Sequence, residues 1–422
     1  MAHSRIRVLS VVTNLKMGGD ESRLLTFSRA VDRSRFDHSV LVLTPPDDDE
    51  IARFGLLKPH FDRYQISVEH LGEMPRSRRR QKQHGLSLLW GDMQSAFRVV
   101  RHLTRYIREH QIDVVDARPN YATLFGLLAG RLARVSAVVT TSYGPDEMWT
   151  GPLRYLIGQT MFGLVDAIIS DSTFAIQQLE RWILRKNRRT IVIPNGIFPP
   201  LSEKSRAEVR QFFGFPDDPQ LRIVGQVSRL VPYKGVHNLL LSAREVLAQE
   251  PATAFLLCGY ADPPEYLQEL RELAMQLGIA DRVRIGGYPG LIGDVWGAID
   301  VHAHASLRDS SPIALHESMA AGLPAVVTRV GGIPDLVEEG ETALVVSPGD
   351  PQALAKALLS VLRDPLLARR LGQNAQKRFN DSFRAPTMAR RLENLFSTLV
   401  STRSSASDDA PKRTAGVRNS LS

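Results

Sequence analysis

Short apolar runs alternate with amphipathic helical stretches along most of this chain, and the alternation occurs twice. In the first half, strands are predicted at Ile6–Thr13, His38–Leu43, Asp113–Val115, Ser136–Thr140, Ala167–Ser170 and Thr190–Ile193, with helices near Ser22–Val31, Met93–Glu109 and Tyr121–Ala133. The turn formers of Pro194-Asn195-Gly196-Ile197-Phe198-Pro199-Pro200 then interrupt the pattern and read as a linker. Strands resume at Leu221–Val227, Ala254–Leu257, Val283–Ile285, Val301–His304, Ala325–Thr328 and Ala343–Val346. Between the first two of these, Val236, Leu239, Leu240, Ala243, Val246 and Leu247 recur at helical spacing. Strands that alternate with helices pack as parallel sheets covered on both faces. The expected fold class is α/β, with two doubly wound domains and a cleft between them. The expected boundaries are 1–197 for the first domain, 198–385 for the second, 386–400 for a helix returning to the first, and 401–422 for a disordered tail rich in Ser, Arg and Asp.

The 422 residues suffice for two such domains, and a hydrophobic fraction of 43% supplies their cores without disulfides. The single cysteine, Cys258, excludes an intramolecular disulfide and fits a reducing compartment. No run approaches the ~18 apolar residues that cross a bilayer. Arg5 and Arg7 interrupt the apolar N-terminal run, so no signal-peptide pattern forms, and a cytoplasmic location is expected. The formal charge is +8, part of it in Arg76-Ser77-Arg78-Arg79-Arg80-Gln81-Lys82. That cluster reads either as a solvated loop or as a peripheral contact with an anionic membrane. It has no interleaved aromatics, and no nucleic-acid-binding signature accompanies it.

Two segments of the second half carry chemistry. In Ser228-Arg229-Leu230-Val231-Pro232-Tyr233-Lys234-Gly235, two cations follow a strand and precede a helix. An arginine grips two oxygens at once and a lysine acts as a point charge, so the pair suits a diphosphate whose negative charge grows as it departs. The second segment runs from Arg308-Asp309-Ser310-Ser311-Pro312-Ile313 through Glu317 to Gly322-Leu323-Pro324. Ser311 reads as an N-cap and Pro312 as the first helical residue, so the amides near Pro312 and Ile313 would face an anion. Glu317, one turn deeper, presents a carboxylate suited to vicinal hydroxyls such as those of a ribose, and Asp309 reaches another part of the same ligand. In the first half, Gly18 and Gly19 in Thr13-Asn14-Leu15-Lys16-Met17-Gly18-Gly19-Asp20-Glu21 let backbone amides face a phosphate or sugar.

These segments resemble those of the retaining glycosyltransferases of family four, over nearly everything from Arg5 to Leu399. The resemblance is most specific in Gly225-Gln226-Val227-Ser228-Arg229 with Lys234, in Asp309 to Pro324, in Gly331-Gly332-Ile333-Pro334-Asp335-Leu336-Val337, and in Pro348-Gly349-Asp350. It implies the GT-B architecture, two facing Rossmann-like domains with the active site in the inter-domain cleft. It also implies that Arg229 and Lys234 hold the donor diphosphate, Glu317 the nucleotide ribose, and that Asp309 faces the transferred sugar. Gly18, Gly19, Pro312 and Ile313 complete the expected donor site, and Arg229, Lys234 and Asp309 are the expected catalytic set.

The chain departs from the family in two places. Asp309 stands where glutamate is usual, and Val115-Asp116-Ala117-Arg118 and Thr140-Thr141-Ser142-Tyr143-Gly144 lack the histidines common there. Asp116, Arg118 and Tyr143 are the available substitutes. His302 and His304 share one strand face but read as a satisfied pair, and Asp47-Asp48-Asp49 reads as exposed loop, so no metal is expected. No Gly-X-Gly-X-X-Gly follows the first strand, which argues against a dinucleotide cofactor. The expected partners are a nucleotide-sugar donor and a saccharide, lipid-linked or small-molecule acceptor. The rival expectations are a sugar-nucleotide epimerase or hydrolase, or an inactive sugar-nucleotide binder.

Overall fold

Two parallel sheets organise the chain. The computed structural model describes residues 5–15, 18–44, 55–71, 86–143, 152–183 and 189–408. The basic run Arg76–Lys82, the triplet Asp47–Asp49, Lys16-Met17 and the tail beyond Asp408 lie outside the described residues. In the first half the elements are β1 (Ile6–Val12), α1 (Gly19–Ala30), β2 (Phe36–Val42), α2 (Lys58–Arg63), β3 (Val68–His70), α3 (Leu86–Glu109), β4 (Val114–Ala117), α4 (Tyr121–Ala133), β5 (Ala137–Thr141), α5 (Pro152–Leu164), β6 (Ala167–Ser170), α6 (Thr173–Trp182) and β7 (Arg189–Val192). The second half holds α7 (Arg206–Phe212), β8 (Arg222–Val227), α8 (Val236–Gln249), β9 (Thr253–Cys258), α9 (Glu265–Gln276), β10 (Val283–Gly286), α10 (Ile292–Ala298), β11 (Val301–His304), α11 (Ile313–Ala320), β12 (Ala325–Thr328), α12 (Ile333–Leu336), β13 (Leu344–Val346), α13 (Pro351–Arg363), α14 (Pro365–Ser382) and α15 (Ala385–Asp408).

The first sheet has seven strands in the order β3-β2-β1-β4-β5-β6-β7, and the second has six in the order β10-β9-β8-β11-β12-β13. Among the described residues the strands of both sheets pair in parallel, for example Val8↔His38 and Val8↔Val114 around β1, and Val224↔Phe255 and Val224↔Val301 around β8. The central strands are buried on both faces and are therefore near-continuous apolar runs. In each sheet the chain direction of growth reverses beside the first strand, between β1 and β4 and between β8 and β11. Loops diverge at such a switch point and leave a crevice at the carboxyl ends of the strands. The two-domain α/β architecture expected from the alternation is thus observed.

Helix α15 carries a buried stripe of Met388, Ala389, Leu392, Leu395, Phe396 and Leu399, which packs with Val8, Phe27, Val114 and Val139 of the first half. Phe396 meets Phe27 edge to face at 6.0 Å, and the Glu393 carboxylate accepts from the Asp32 amide at 2.8 Å. The last helix therefore belongs physically to the first sheet's core, although it follows the second sheet in sequence.

Three local expectations are corrected. Helix α15 continues to Asp408, so 401–408 are helical rather than tail; Ser and Thr in a helix end tolerate this because Thr398 and Asn394 carbonyls take their hydroxyls. Helix α1 begins at Gly19, not Ser22, with Gly18 as its extended N-cap. Strand β3 lies outside the expected set, because Val68-Glu69-His70 is short and has no apolar run; it pairs with β2 at the sheet edge, where Val68 packs on the core and Glu69 accepts from the Tyr106 hydroxyl at 3.1 Å.

Truncating the α15 anchor should destabilise the first domain. Phe396→Ala is expected to cost about 3 kcal/mol by leaving a cavity against Phe27, read as a lowered midpoint in urea unfolding.

Candidate active site

The loops after β8 and β11 meet at the switch point of the second sheet. Residues 232–234 form a single tight turn, and Gly235 follows at φ 65°. A Cβ at Gly235 would stand 1.9 Å from the Ala305 carbonyl oxygen, so only glycine lets the two loops approach this closely. The Leu307 amide donates to the Tyr233 carbonyl at 2.8 Å and joins them further. Beneath the turn, fully buried Gln226 donates to the Lys234 carbonyl at 2.9 Å and accepts from the Ala305 amide at 3.3 Å. On the other side Gly331, at φ 52°, lies against the Asp309 backbone, where a Cβ would be 1.6 Å from its carbonyl oxygen.

This scaffold brings Lys234 and Asp309 together: Nζ lies 2.5 Å from Oδ2, and both side chains are largely buried. The same carboxylate oxygen faces His304 Nε2 at 3.0 Å and accepts from the Ser306 hydroxyl at 3.2 Å. Burial opposes the charge on Asp309, but the hydrogen bond and charge of His304, followed by Lys234, hold its carboxyl well below the usual range. Asp309 is therefore an ionised carboxylate inside a cationic and hydrogen-bonded frame. Tyr233 gathers two further cations. Arg229, exposed, donates to its hydroxyl at 2.5 Å, and the exposed Arg308 guanidinium lies 5.6 Å from its ring centre. Arg229 and Lys234 thus share one loop, with Arg308, Tyr233 and Gln226 as supporting residues that the sequence reading did not single out.

Helix α11 starts beside Asp309. Its N-cap is Pro312 with Ile313 first in the helix, and no side chain caps it. Ser311 is not the cap, contrary to expectation; its hydroxyl is buried without a partner, because the chain is extended at Pro312 and carries the serine past the helix end. Glu317 is partly buried and accepts from the Trp296 indole N–H at 3.1 Å. Burial pushes its carboxyl up from an ordinary value of 4.5 to about 7, against the pull of that hydrogen bond. The two strand histidines are both buried, with His302 on the Ser318 hydroxyl at 2.7 Å and His304 on Asp309.

Across the cleft, the first sheet places its own polar cluster at its switch point. Arg118, beyond β4, donates to Asp20 through Nε at 3.2 Å and through Nη2, and to Thr141 at 3.1 Å. Tyr143, beyond β5, donates to the same Asp20 at 2.5 Å. Behind them Ser10 donates to Asp116 at 2.9 Å and partners His38 at 3.0 Å. Burial pushes the His38 imidazole down to about 3, so it is neutral. Arg118 and Tyr143, at the positions without histidine, therefore converge on the first turn of α1, next to Gly18 and Gly19.

The halves also touch directly beside Asp309. The Ser310 hydroxyl donates to Asp171 at 2.8 Å, the Thr173 amide donates to Asp335 at 2.6 Å, and the Asn195 side-chain amide donates to the Ser311 carbonyl at 3.3 Å. Asn195 in turn accepts from fully buried Arg23 at 2.8 Å.

Comparison with known proteins assigns the family and the fold. Residues 205–378 match the family model described as "Glycosyl transferases group 1", and residues 18–196 match the one described as "Glycosyl transferase 4-like domain". The chain belongs to the group 1, family 4 glycosyltransferases. It is 29% identical over 296 residues to a D-inositol 3-phosphate glycosyltransferase of Corynebacterium efficiens, covering 68% of this chain and 69% of the relative. It is 28% identical over 342 residues to a GDP-mannose-dependent alpha-(1-6)-phosphatidylinositol monomannoside mannosyltransferase of Mycolicibacterium smegmatis, covering 72% and 85% respectively. Anabaena HepE, solved with UDP and glucose, shares the fold at a TM-score of 0.72 and 23% identity, over 93% of this chain and all (100%) of that one. The expected GT-B fold class stands.

The raised Glu317 carboxyl gives this family member a pH signature. A pKa higher in the folded than in the unfolded chain contributes stability that is present below the unfolded value and lost as pH rises through the folded one. Stability of the ligand-free protein should therefore fall between about pH 5 and about pH 8, and Glu317→Gln should flatten that decline in urea titrations at the two ends.

Proposed function

We propose that the chain transfers a sugar from a nucleotide-sugar donor to a saccharide, lipid-linked or small-molecule acceptor, with retention of anomeric configuration. The observation that carries the reading is the Lys234–Asp309 pair at the switch point, with Arg229 on the same loop bound to the Tyr233 hydroxyl and Glu317 one turn into the adjoining helix. Breaking the bond to a diphosphate places negative charge on phosphate oxygen and positive charge on the anomeric carbon. Lys234 and Arg229 answer the first charge, and the α11 amides add their dipole. The ionised Asp309 answers the second and accepts from sugar hydroxyls. Glu317 accepts from the ribose hydroxyls, most strongly as the carboxylate, so donor affinity is expected to rise with pH through about 7.

The first domain supplies the acceptor side, with the Gly18-Gly19 turn held by Asp20, Arg118 and Tyr143. The contacts of Ser310 with Asp171 and of Thr173 with Asp335 close the cleft over the donor and exclude the water that would hydrolyse it. The acceptors named for the two relatives, an inositol phosphate and a phosphatidylinositol mannoside, support a polyol acceptor, free or lipid-anchored, as in cell-envelope glycolipid synthesis.

Lys234→Ala is expected to lower kcat by about 10²-fold, with folding kept, and Glu317→Ala is expected to raise the donor KM more than it lowers kcat. Assays with a panel of nucleotide sugars and polyol acceptors check both, and proton NMR of the product reports the anomer. Wild-type turnover in both variants, or an inverted product, contradicts the assignment.

A further inference from the structure

Tyr233 stands amid the positive charge of the candidate site. It belongs to the tight turn 232–234 after β8, and its carbonyl accepts from the Leu307 amide at 2.8 Å, which fastens the loop after β11 to it. Three cations lie around its side chain. Arg229 donates to the hydroxyl at 2.5 Å, the Arg308 guanidinium lies 5.6 Å from the ring centre, and the Lys234 ammonium lies 5.8 Å from it. Lys234 has a carboxylate partner in Asp309. Arg229 and Arg308 are exposed and form no ion pair among the described residues. Other exposed arginines of this half do pair, Arg206 with Asp300, Arg329 with Glu339 and Arg363 with Glu250.

Like charges repel, and long side chains free in water do not converge without a partner. Here a neutral ring gathers them. The phenol oxygen accepts one guanidinium N–H, and the negative face of the ring attracts the second guanidinium. Arg229 uses one nitrogen for Tyr233 and keeps its remaining donors, and Arg308 keeps all of its own. Guanidinium groups in this state grip phosphate oxygens in pairs. The three cations face the single carboxylate of Asp309, so positive charge is left unbalanced at the mouth of the site. A sugar-linked diphosphate is an anion suited to it, and it gains negative charge as its bond to the sugar breaks.

We propose that Arg308 is a further ligand of the donor diphosphate, and that Tyr233 is the positioning residue that aims Arg229 and Arg308 at it. The inference rests on the reading of Arg229 and Lys234 as the diphosphate site. The hydroxyl sets Arg229 and the ring sets Arg308, so substitution separates the two roles. Tyr233→Phe removes the first and keeps the second, whereas Tyr233→Leu removes both.

The test is calorimetric titration of the full chain and its variants with UDP and with GDP, thermal midpoints being measured in the same samples. Arg308→Ala and Tyr233→Phe should each weaken diphosphate binding about tenfold, and Tyr233→Leu should weaken it further. Because the hydroxyl acts through Arg229, Arg229→Ala should bind alike with and without Tyr233→Phe. Arg308→Ala combined with Tyr233→Phe should instead show the summed loss, since the two act on different guanidinium groups. A residue that merely stabilises the turn would not produce this pattern of coupling. Wild-type affinity in Arg308→Ala overturns the role of Arg308. Additive losses from Tyr233→Phe and Arg229→Ala overturn that of Tyr233. Wild-type affinity in both Arg229→Ala and Lys234→Ala overturns the diphosphate reading itself, and this inference with it.

Discussion

The ion pair between Lys234 and Asp309 is the constraint on which the rest of the site depends. Two opposite charges this close and this sheltered persist only where the surrounding groups satisfy their remaining hydrogen bonds. Here His304 and Ser306 complete the carboxylate, and Gln226 fixes the backbone that carries the ammonium. The pair occupies the gap between β8 and β11, where the sheet's reversal parts the loops.

Preorganisation here is a backbone property. Gly235 and Gly331 both lie in the left-handed region with a neighbouring carbonyl where a side chain would be. They let the three loops around Asp309 come within contact of one another. The price is local: each glycine weakens its own loop, and the buried hydrogen bonds of Gln226 and Thr328 compensate, Thr328 by donating to the His304 and Ser306 carbonyls. The first sheet solves the same problem with charge. Arg118 and Tyr143 hold the start of α1 through Asp20, where histidines are usual in the family.

Much of this was legible in the residues. Parallel strands buried on both faces are apolar runs, so alternation alone located twelve of the thirteen strands that the two sheets contain. The exception, β3, is a three-residue edge strand, too short to show an apolar run. The loop cations and the acidic residues of the α11 segment were visible because glycine, proline and charge mark strand ends. Ser311 misled because capping preference is local, whereas the extended backbone at Pro312 is set by the neighbouring domain, which takes the Ser311 carbonyl through Asn195. Arg23 and Asp171, buried charges at the join of the halves, carried no signal at all.

The sequence by itself determined the α/β class, the two-sheet division, the strand positions and the identities of the charged groups, because these follow from periodicity and chemistry within a few residues. Tertiary structure alone decided which groups meet. Lys234 and Asp309 are 75 residues apart, Arg118 and Asp20 are 98 apart, and Ser310 and Asp171 are 139 apart. Each contact arises from the order in which strands pair, and strand order is settled by burial across the whole sheet rather than by any segment's own preference.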